Sequence, residues 1–534
     1  MGPTSIESFK GSVGNRLRLH SADDNGEASA GPVLTAELVH RVRLQGETAR
    51  NKQTAWAAES IRDRLKVLKQ FRLRIAAEPE SLAVSVNRKN IAETLAAEVL
   101  PLLDACRYLE TEAAEILREK TAGNRSRPKW LWGNSVVLRP EPLGVVLIIG
   151  PSNYPLMLPG IQALQAIAAG NAVLIKPAVG CSQVADLFAS LAASAGLPEG
   201  LIQVLPESPE AATLAIRNGV NKVFLTGSAS TGRAVRGELA NAGTPSVMEL
   251  SGCDAVFILE DADLNLVSDC LMFGLTLNNS RTCMAPRRVF ATGKQTDEII
   301  RLLKKKMALG SEQGSGSKER SCSIGNADRP LSDIADLKIR EAISNGAALI
   351  CGPSSDSSLA EYSGVAILDH VTSEMSVTQS DIFAPVLSFI RVESAEQALY
   401  ENQKCPYALS ATVFGSTERS WQFARRISVG CVVINDMIVP TADPRVPFGG
   451  RGLSGHGMTR GESGLLEMTQ LKAIVATRHW FRPHLQKPTS ADAEVLAQLI
   501  RLEHAATPLQ SLMAVPRMIR ATLKQIKIRR SHRT

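Results

Sequence analysis

Three residues of this 534-residue chain carry side chains that could do covalent or proton chemistry in surroundings unusual for their type. Cys283 closes the polar stretch Asn278-Asn279-Ser280-Arg281-Thr282-Cys283, between an apolar helical run and the apolar run Arg288 to Ala291. A lone cysteine is ordinarily a small core residue. Polar neighbours and the cation of Arg281, however, favour exposure and a thiolate, the nucleophilic form. Glu249 sits at the end of the apolar run Val247 to Leu250, before the turn formers Ser251-Gly252. An acid there is either a paired structural ion or a functional base. Asn153 lies in Gly150-Pro151-Ser152-Asn153-Tyr154-Pro155, where its amide either stabilises a turn or is aimed at a substrate oxygen.

A fourth feature is a turn rather than a side chain. Phe224-Leu225-Thr226-Gly227-Ser228, with Gly232 beyond it, follows an apolar strand and opens a helical run. Amides at a helix N-terminus hold pyrophosphate, and glycines let it come close; a plain strand-to-helix turn would look the same. No G-x-G-x-x-G follows a strand and there is no Walker A sequence. The nine cysteines are scattered, without a C-x-x-C pair or clustered histidines, which argues against a zinc site or disulfide framework and for a reducing, cytoplasmic compartment; no metal is expected.

The elements that must position these groups follow from hydrophobic spacing. From Leu34 to Lys120 apolar residues recur at three and four, as in Ile61, Leu65, Leu68 and Phe71, so a helical lead-in is expected. Leu143 to Ile175 contains no charged residue, yet Gly150, Pro151, Asn153, Pro155, Pro159 and Gly160 break it into a buried β-α-β unit rather than a membrane span. Expected strands follow at Val145–Ile149, Ala172–Ile175, Ile202–Leu205, Val223–Leu225 and Val247–Leu250. A second series is expected at Arg288–Ala291, Ala348–Ile350, Val386–Val392, Ser410–Phe414 and Cys431–Asn435. Strands alternating with helices predict an α/β chain with two Rossmann-like parallel-sheet domains. Gly310–Ser323 reads as a surface loop and residues 1–33 as a mobile arm. Composition is that of a globular protein, with 44% hydrophobic and 21% charged residues. The net charge of +7 is matched by seven Lys/Arg and no acid within Arg517–Thr534, so the basicity belongs to a tail.

Taken together, these pieces resemble the aldehyde dehydrogenase superfamily from about residue 34 to 480. Gly150–Pro155 is similar to its oxyanion loop, Leu174-Ile175-Lys176-Pro177 to its coenzyme-ribose lysine motif, and Phe224–Gly232 to its coenzyme turn. Met248-Glu249-Leu250-Ser251-Gly252 resembles the general-base segment, with Cys283 at the nucleophile's spacing of 34 residues further on. Asp381-Ile382-Phe383-Ala384-Pro385-Val386 resembles the segment at the nicotinamide end, and Asn435, Pro447–Gly450 and Ser454-Gly455 the substrate tunnel. The resemblance implies Cys283, Glu249 and Asn153 as catalytic residues and Lys176, Thr226, Gly227, Ser228, Gly232, Asp381 and Phe383 as contacts for NAD or NADP. It implies oxidation of an aldehyde to an acid through a cysteine thiohemiacetal, hydride transfer and thioester hydrolysis. An acyl-thioester or acyl-phosphate reductase of the same superfamily and a non-enzymatic member are the alternatives.

There are departures. Ser280-Arg281 replaces the usual Gly-Gln, Cys253 replaces a lysine, Asp381 is one methylene shorter than the usual glutamate, and Val179 stands where NAD-preferring members often place a glutamate. The implied layout is an arm over 1–33, a helical lead-in over 34–127, an oligomerisation ribbon over 128–142, a coenzyme-binding domain over 143–258, a catalytic domain over 259–450, a return segment with the oligomerisation strand over 451–482, and a basic extension over 483–534. A homodimer or homotetramer follows from that ribbon. The tail supplies no nucleic-acid module. Ile519, Leu523 and Ile526 share one helical face among Lys and Arg, a pattern that fits either an anionic membrane surface or packing on the same subunit.

Overall fold

In a computed structural model of the chain, residues 35–88, 90–311, 333–352, 364–478, 482–485 and 487–531 are described. The expected arm over 1–33 lies outside them, as does the expected loop Gly310–Ser323 beyond Ser311; Gly310 and Ser311 end the helix Gly293–Ser311. The chain divides into two compact units. One runs to Ile116 and resumes over Pro142–Gln470; the other combines Leu117–Glu141 with the stretch from Leu471 onward.

The first unit opens with the helices Ala36–Ala58, Ile61–Ala77 and Pro79–Ser85. Thr35 and Ser60 cap the first two by accepting from Leu38 N and Asp63 N, which satisfies amides that have no partner inside the helix. Leu65, Leu68 and Phe71 of the expected stripe are buried, with Ile75 continuing it, whereas Ile61 is half-buried. In the first helix the buried residues are Val42, Ala49 and Trp56, seven apart, whereas Val39 and Leu44 are exposed. Those two lie five residues apart, on different faces. The lead-in then passes through Ile91–Thr94 and the π-helical turn Leu95–Val99 into the helix Leu100–Ile116.

The first sheet has the spatial order Gly455–His456, Ser246–Leu250, Lys222–Gly227, Val145–Ile149, Ala172–Lys176, Ile202–Val204. All neighbours are parallel except the first pair. Val145–Ile149 and Ala172–Lys176 are buried along their whole length, as strands covered on both faces must be. The uncharged stretch is the expected β-α-β unit, its helix Met157–Ala169 ending on Gly170 at φ +95°. From Val145–Ile149 the chain moves outward through Ala172–Lys176 and Ile202–Val204, then returns to the other flank at Lys222–Gly227. The carboxyl ends of the strands at such a reversal are where open α/β sheets bind ligands.

The second sheet follows without a helix between: only Ser251-Gly252-Cys253 separates Leu250 from the strand Asp254–Ile258. This strand is absent from the sequence expectation, since a three-residue link hides the change of sheet. The order is Ala348–Cys351, Ala366–Asp369, Val386–Arg391, Pro286–Ala291, Asp254–Ile258, Ser410–Phe414, Cys431–Ile434, parallel apart from the first pair. Its faces pack as two layers, one around Phe257, Phe290 and Phe423 and one around Leu271, Val289 and Phe389. Phe257 stacks on Phe290 with ring centroids 5.2 Å apart.

The strands Lys120–Thr121, Asn134–Pro142 and Thr469–Thr477, which but for Pro142, Thr469 and Gln470 belong to the second unit, form a three-stranded sheet. The helices Ser490–His504 and Pro508–Ser531 pack on each other. Among the described residues no helix is long and apolar enough to cross a membrane. Cys106, Cys181, Cys253, Cys270, Cys283, Cys405 and Cys431 are free thiols; Cys351 is disulfide-bonded, which the scattered cysteines did not lead us to expect.

Candidate active site

The link between the sheets brings the segments of Glu249 and Cys283 together. Glu249 pairs with Thr226 on one side and Gly455 on the other. Ser251 N donates to Gly227 O at 3.1 Å, and Leu250 N to Ser454 O at 3.1 Å. Gly252 comes next, and a Cβ there would stand 2.9 Å from the Cys283 carbonyl oxygen and 2.5 Å from Asp254 Oδ1. Only glycine lets the Cys283 backbone approach the Glu249 strand this closely.

Cys283 is delivered by the turn Leu277–Ser280, in which Asn278, Asn279 and Ser280 adopt φ of 49°, 53° and 58°. Successive left-handed residues cost free energy and persist only where the surroundings hold them. Here Arg287 donates through NH1 to Ser280 Oγ (2.7 Å) and through NH2 to Ser280 O (2.6 Å). Asn278 N donates to Glu93 Oε1 at 3.0 Å, and Asn278 Nδ2 to Asn153 O at 2.9 Å.

The Cys283 thiol then donates to Glu249 Oε1 across 3.6 Å. Burial pushes the Cys283 thiol well up, and the charges of Glu249 and Asp254 add to this while Arg460 opposes it. Arg281, the cation expected here, is exposed and lines the same cavity, and Arg460 brings a further charge that favours the thiolate. Glu249 is buried, and burial raises its carboxyl above the usual range, against the pull of Arg460 and the Cys283 S–H. Its Oε2 has no hydrogen-bond partner. Arg460 is anchored by NH1 on Thr441 O at 2.7 Å and lies 4.6 Å from the Phe448 ring centroid. Asp254 is also buried, and burial brings its carboxyl up to about 7. Asn153 Nδ2 donates to Arg281 O at 2.8 Å. An amide nitrogen has two hydrogens, and this bond uses one.

A cavity of about 200 Å³ gathers these groups: Asn153, Glu249, Arg281 and Cys283 line it together with Thr226, Gly227, Ser228, Asp381 and Phe383. It lies at the carboxyl ends of Val145–Ile149 and Lys222–Gly227, the reversal point of the first sheet. Ser228 caps the helix Ala229–Ala242 by accepting from Thr231 N at 3.1 Å. Gly232, one turn into that helix, lines no part of the cavity; a Cβ there would meet Leu250 Cδ1 at 2.7 Å, so its smallness seats the helix against the strand. Lys176 also stands outside the cavity, at the end of its strand beside Gly150, whose N–H donates to Lys176 O at 3.0 Å. Burial lowers its ammonium, and Glu207 is the first of the charges that restore it.

These groups fit a nicotinamide dinucleotide. A helix N-terminus with its orphan amides opens onto the cavity, and Asp381 Oδ1 is buried there without a hydrogen-bond partner. Burial brings the Asp381 carboxyl up to about 6, with Ser251 and Arg287 holding it back. Sequence reading missed Arg460, Arg287, Arg88 and Glu98. The first three carry no local signal, whereas Glu98 is an acid inside the apolar run Leu95-Ala96-Ala97-Glu98-Val99-Leu100, the same cue that flagged Glu249.

Comparison with known proteins gives the same direction. Residues 32–474 match the model of the aldehyde dehydrogenase family. The chain is 29% identical to an NADP-dependent glyceraldehyde-3-phosphate dehydrogenase of Streptococcus equinus, over 86% of this chain and 95% of that protein. It is also 29% identical to a geranial dehydrogenase of Castellaniella defragrans, over 79% and 87%. Among solved structures it is similar to an NAD-dependent aldehyde dehydrogenase from Sinorhizobium meliloti, with TM-score 0.73 and 26% identity over 83% of this chain and 89% of that one.

Proposed function

The chain belongs to the aldehyde dehydrogenase family, and from that premise we propose that Cys283, Glu249 and Asn153 carry out NAD(P)-dependent oxidation of an aldehyde to a carboxylic acid. The observation that carries the assignment is the 3.6 Å contact between the Cys283 thiol and the Glu249 carboxylate inside the shared cavity.

The half-buried thiol has its pKa raised, which favours the protonated form, so attack calls for a proton acceptor, and Glu249 is in contact. As the sulfur adds to the aldehyde carbon, the thiol proton passes to Glu249 and a thiohemiacetal forms. The second Asn153 N–H and the Cys283 backbone N–H receive the oxyanion, each worth roughly 3 to 4 kcal/mol in comparable sites. The chemistry that a bound nicotinamide coenzyme supplies is hydride acceptance, which turns the adduct into a thioester. Thr226, Gly227, Ser228, Asp381 and Phe383 would hold that coenzyme in the cavity, with Lys176 and Gly232 acting from beside and behind it. Once it has released its proton, Glu249 takes another from a water, and hydroxide attack frees the acid and Cys283. Glu249 therefore favours water over coenzyme A as acyl acceptor.

Two further readings belong to the whole chain. Exposed apolar side chains on the ribbon, Leu471, Ile474 and Val475, and at Trp130 and Trp132 support a homo-oligomer. The free thiols, the nucleophile among them, support a cytoplasmic setting, whereas the disulfide at Cys351 stands against it. The decisive experiment is Cys283→Ser. It should abolish aldehyde-dependent coenzyme reduction while leaving coenzyme binding intact, because a hydroxyl is a far weaker nucleophile than a thiolate. Near-normal turnover in the purified variant would remove Cys283 from the mechanism.

A further inference from the structure

We propose that the largely buried Arg88–Glu98 ion pair, its side chains 15% and 0% exposed, is the device that positions Asn153 for reaction, a proposal that rests on reading Asn153 as an oxyanion donor. Glu98 is 0% exposed and sits in the π-helical turn Leu95–Val99; such single wide turns recur at functional sites. Its Oε2 accepts from Leu156 N at 2.8 Å and Met157 N at 3.0 Å. These amides open the helix Met157–Ala169, which has no side-chain cap of its own. Glu98 Oε1 pairs with Arg88 NH2 at 2.7 Å. The same Arg88 nitrogen donates to the Asn153 carbonyl oxygen, and the guanidinium lies 5.0 Å from the Tyr154 ring centroid.

One carboxylate thus holds the exit of the Asn153 loop, and its guanidinium partner holds Asn153 itself. The Asn153 carbonyl receives a second donor, Asn278 Nδ2 at 2.9 Å. The Tyr154 hydroxyl shares a 2.7 Å hydrogen bond with Thr282 Oγ1, one residue before Cys283. With its peptide oxygen fixed from two directions and its amide on Arg281 O, Asn153 has little freedom to move relative to the nucleophile. Stability alone gives no reason for the pair, since well-packed apolar replacements of buried ion pairs are often neutral or stabilising. A displacement of about 1 Å at a reacting group, by contrast, can cost on the order of a hundredfold in rate. Arg88 and Glu98 are positioning residues, because neither lines the cavity.

The test is a double-mutant cycle on kcat with the full chain, combining Arg88→Ala and Asn153→Ala. Arg88→Ala should lower kcat roughly tenfold to a hundredfold, with coenzyme KM within about twofold of wild type. Glu98→Gln, which keeps an acceptor for the two amides but removes the charge, should do the same. Because Arg88 acts through Asn153, the double variant should be no slower than Asn153→Ala alone. Losses that multiply, or an Arg88→Ala chain with wild-type kcat, would overturn the proposal. Should Arg88→Ala fail to fold, Arg88→Lys, which retains the charge but not the forked reach, takes its place under the same criteria. If Asn153→Ala itself leaves kcat unchanged, the reading of Asn153 fails rather than the cycle.

Discussion

The thiol of Cys283 and the carboxylate of Glu249 touch across 3.6 Å. That contact links the base to the first chemical step as well as to the last. Glu249→Gln should therefore slow both the burst of reduced coenzyme and the steady state. The steady state should fall by about a hundredfold or more, in the range for loss of a general base, and a thioester adduct should accumulate in the intact mass. A burst at the wild-type rate would show that Cys283 loses its proton elsewhere. Absence of burst and adduct together would confine Glu249 to activation of the thiol.

Asp381 gives the reaction an acid limb. Its carboxyl is brought up to about 6, chiefly by burial, so lowering the pH through this value protonates the group proposed to accept from the coenzyme. KM for coenzyme should rise below pH 6, and Asp381→Asn should raise it at all pH values and flatten the dependence.

The same burial has an opposite consequence for stability. A carboxyl whose folded value is raised favours the fold when neutral, and that contribution is lost as pH rises from its unfolded value, near 4, through about 6. Asp381→Asn should then raise the thermal midpoint at pH 8, by an amount equivalent to about 3 kcal/mol, and leave it unchanged at pH 4. Equal midpoints at pH 8 would show that Arg287 offsets the burial in full.

Much of this was legible in the residues. The strand Val145–Ile149 falls where its apolar run ends, because a strand buried on both faces favours an unbroken apolar run. Cys283, Glu249 and Asn153 were readable because each is a polar group in a setting that does not explain it. Arg460, whose charge acts on the sulfur, was not legible, since sequence proximity is a poor guide to a charge brought from 177 residues away. Asp254–Ile258 was overlooked for another reason: a link of only three residues after an apolar strand does not announce a change of sheet.

Coenzyme choice depends on more than Val179. That side chain is 76% exposed and offers no carboxylate to a ribose hydroxyl, so NADP should be accepted comparably to NAD. A carboxylate is nevertheless close by. Glu207 accepts from Gly180 N and Ser182 N, each at 2.8 Å, and from Ser182 Oγ at 2.6 Å. These bonds hold it at about 2, and its charge acts on Lys176. Glu207→Gln should move the ratio of kcat/KM values toward NADP, since a 2′-phosphate would no longer face this anion. A ratio unchanged by the substitution would place the 2′-position away from Glu207.

The helix Pro508–Ser531 buries Ala514 and Ala521, seven residues apart, and leaves Ile519, Leu523 and Ile526 exposed. Packing of those three on their own subunit, one of the two readings of the tail, is not what the helix does; the side chains of Arg529 and Arg530, counted among its charges, lie outside the described residues. Leu509, Leu512 and Met513 are exposed as well, as are Leu496 and Ile500 on the neighbouring helix Ser490–His504. Arg517, Arg520 and Lys527 lie on the same helix as this apolar surface, together with Lys524, which pairs with Glu494 at 3.0 Å. Apolar side chains beside cations fit a bilayer with anionic headgroups, each Lys or Arg near the surface contributing about 1 kcal/mol. The full chain should cosediment with phosphatidylserine-containing vesicles at low salt, release at high salt, and ignore neutral vesicles. Replacing Arg517, Arg520, Lys524 and Lys527 with Gln should weaken binding without altering turnover of a soluble aldehyde. Equal sedimentation of the two chains at low salt would leave this surface to another protein chain.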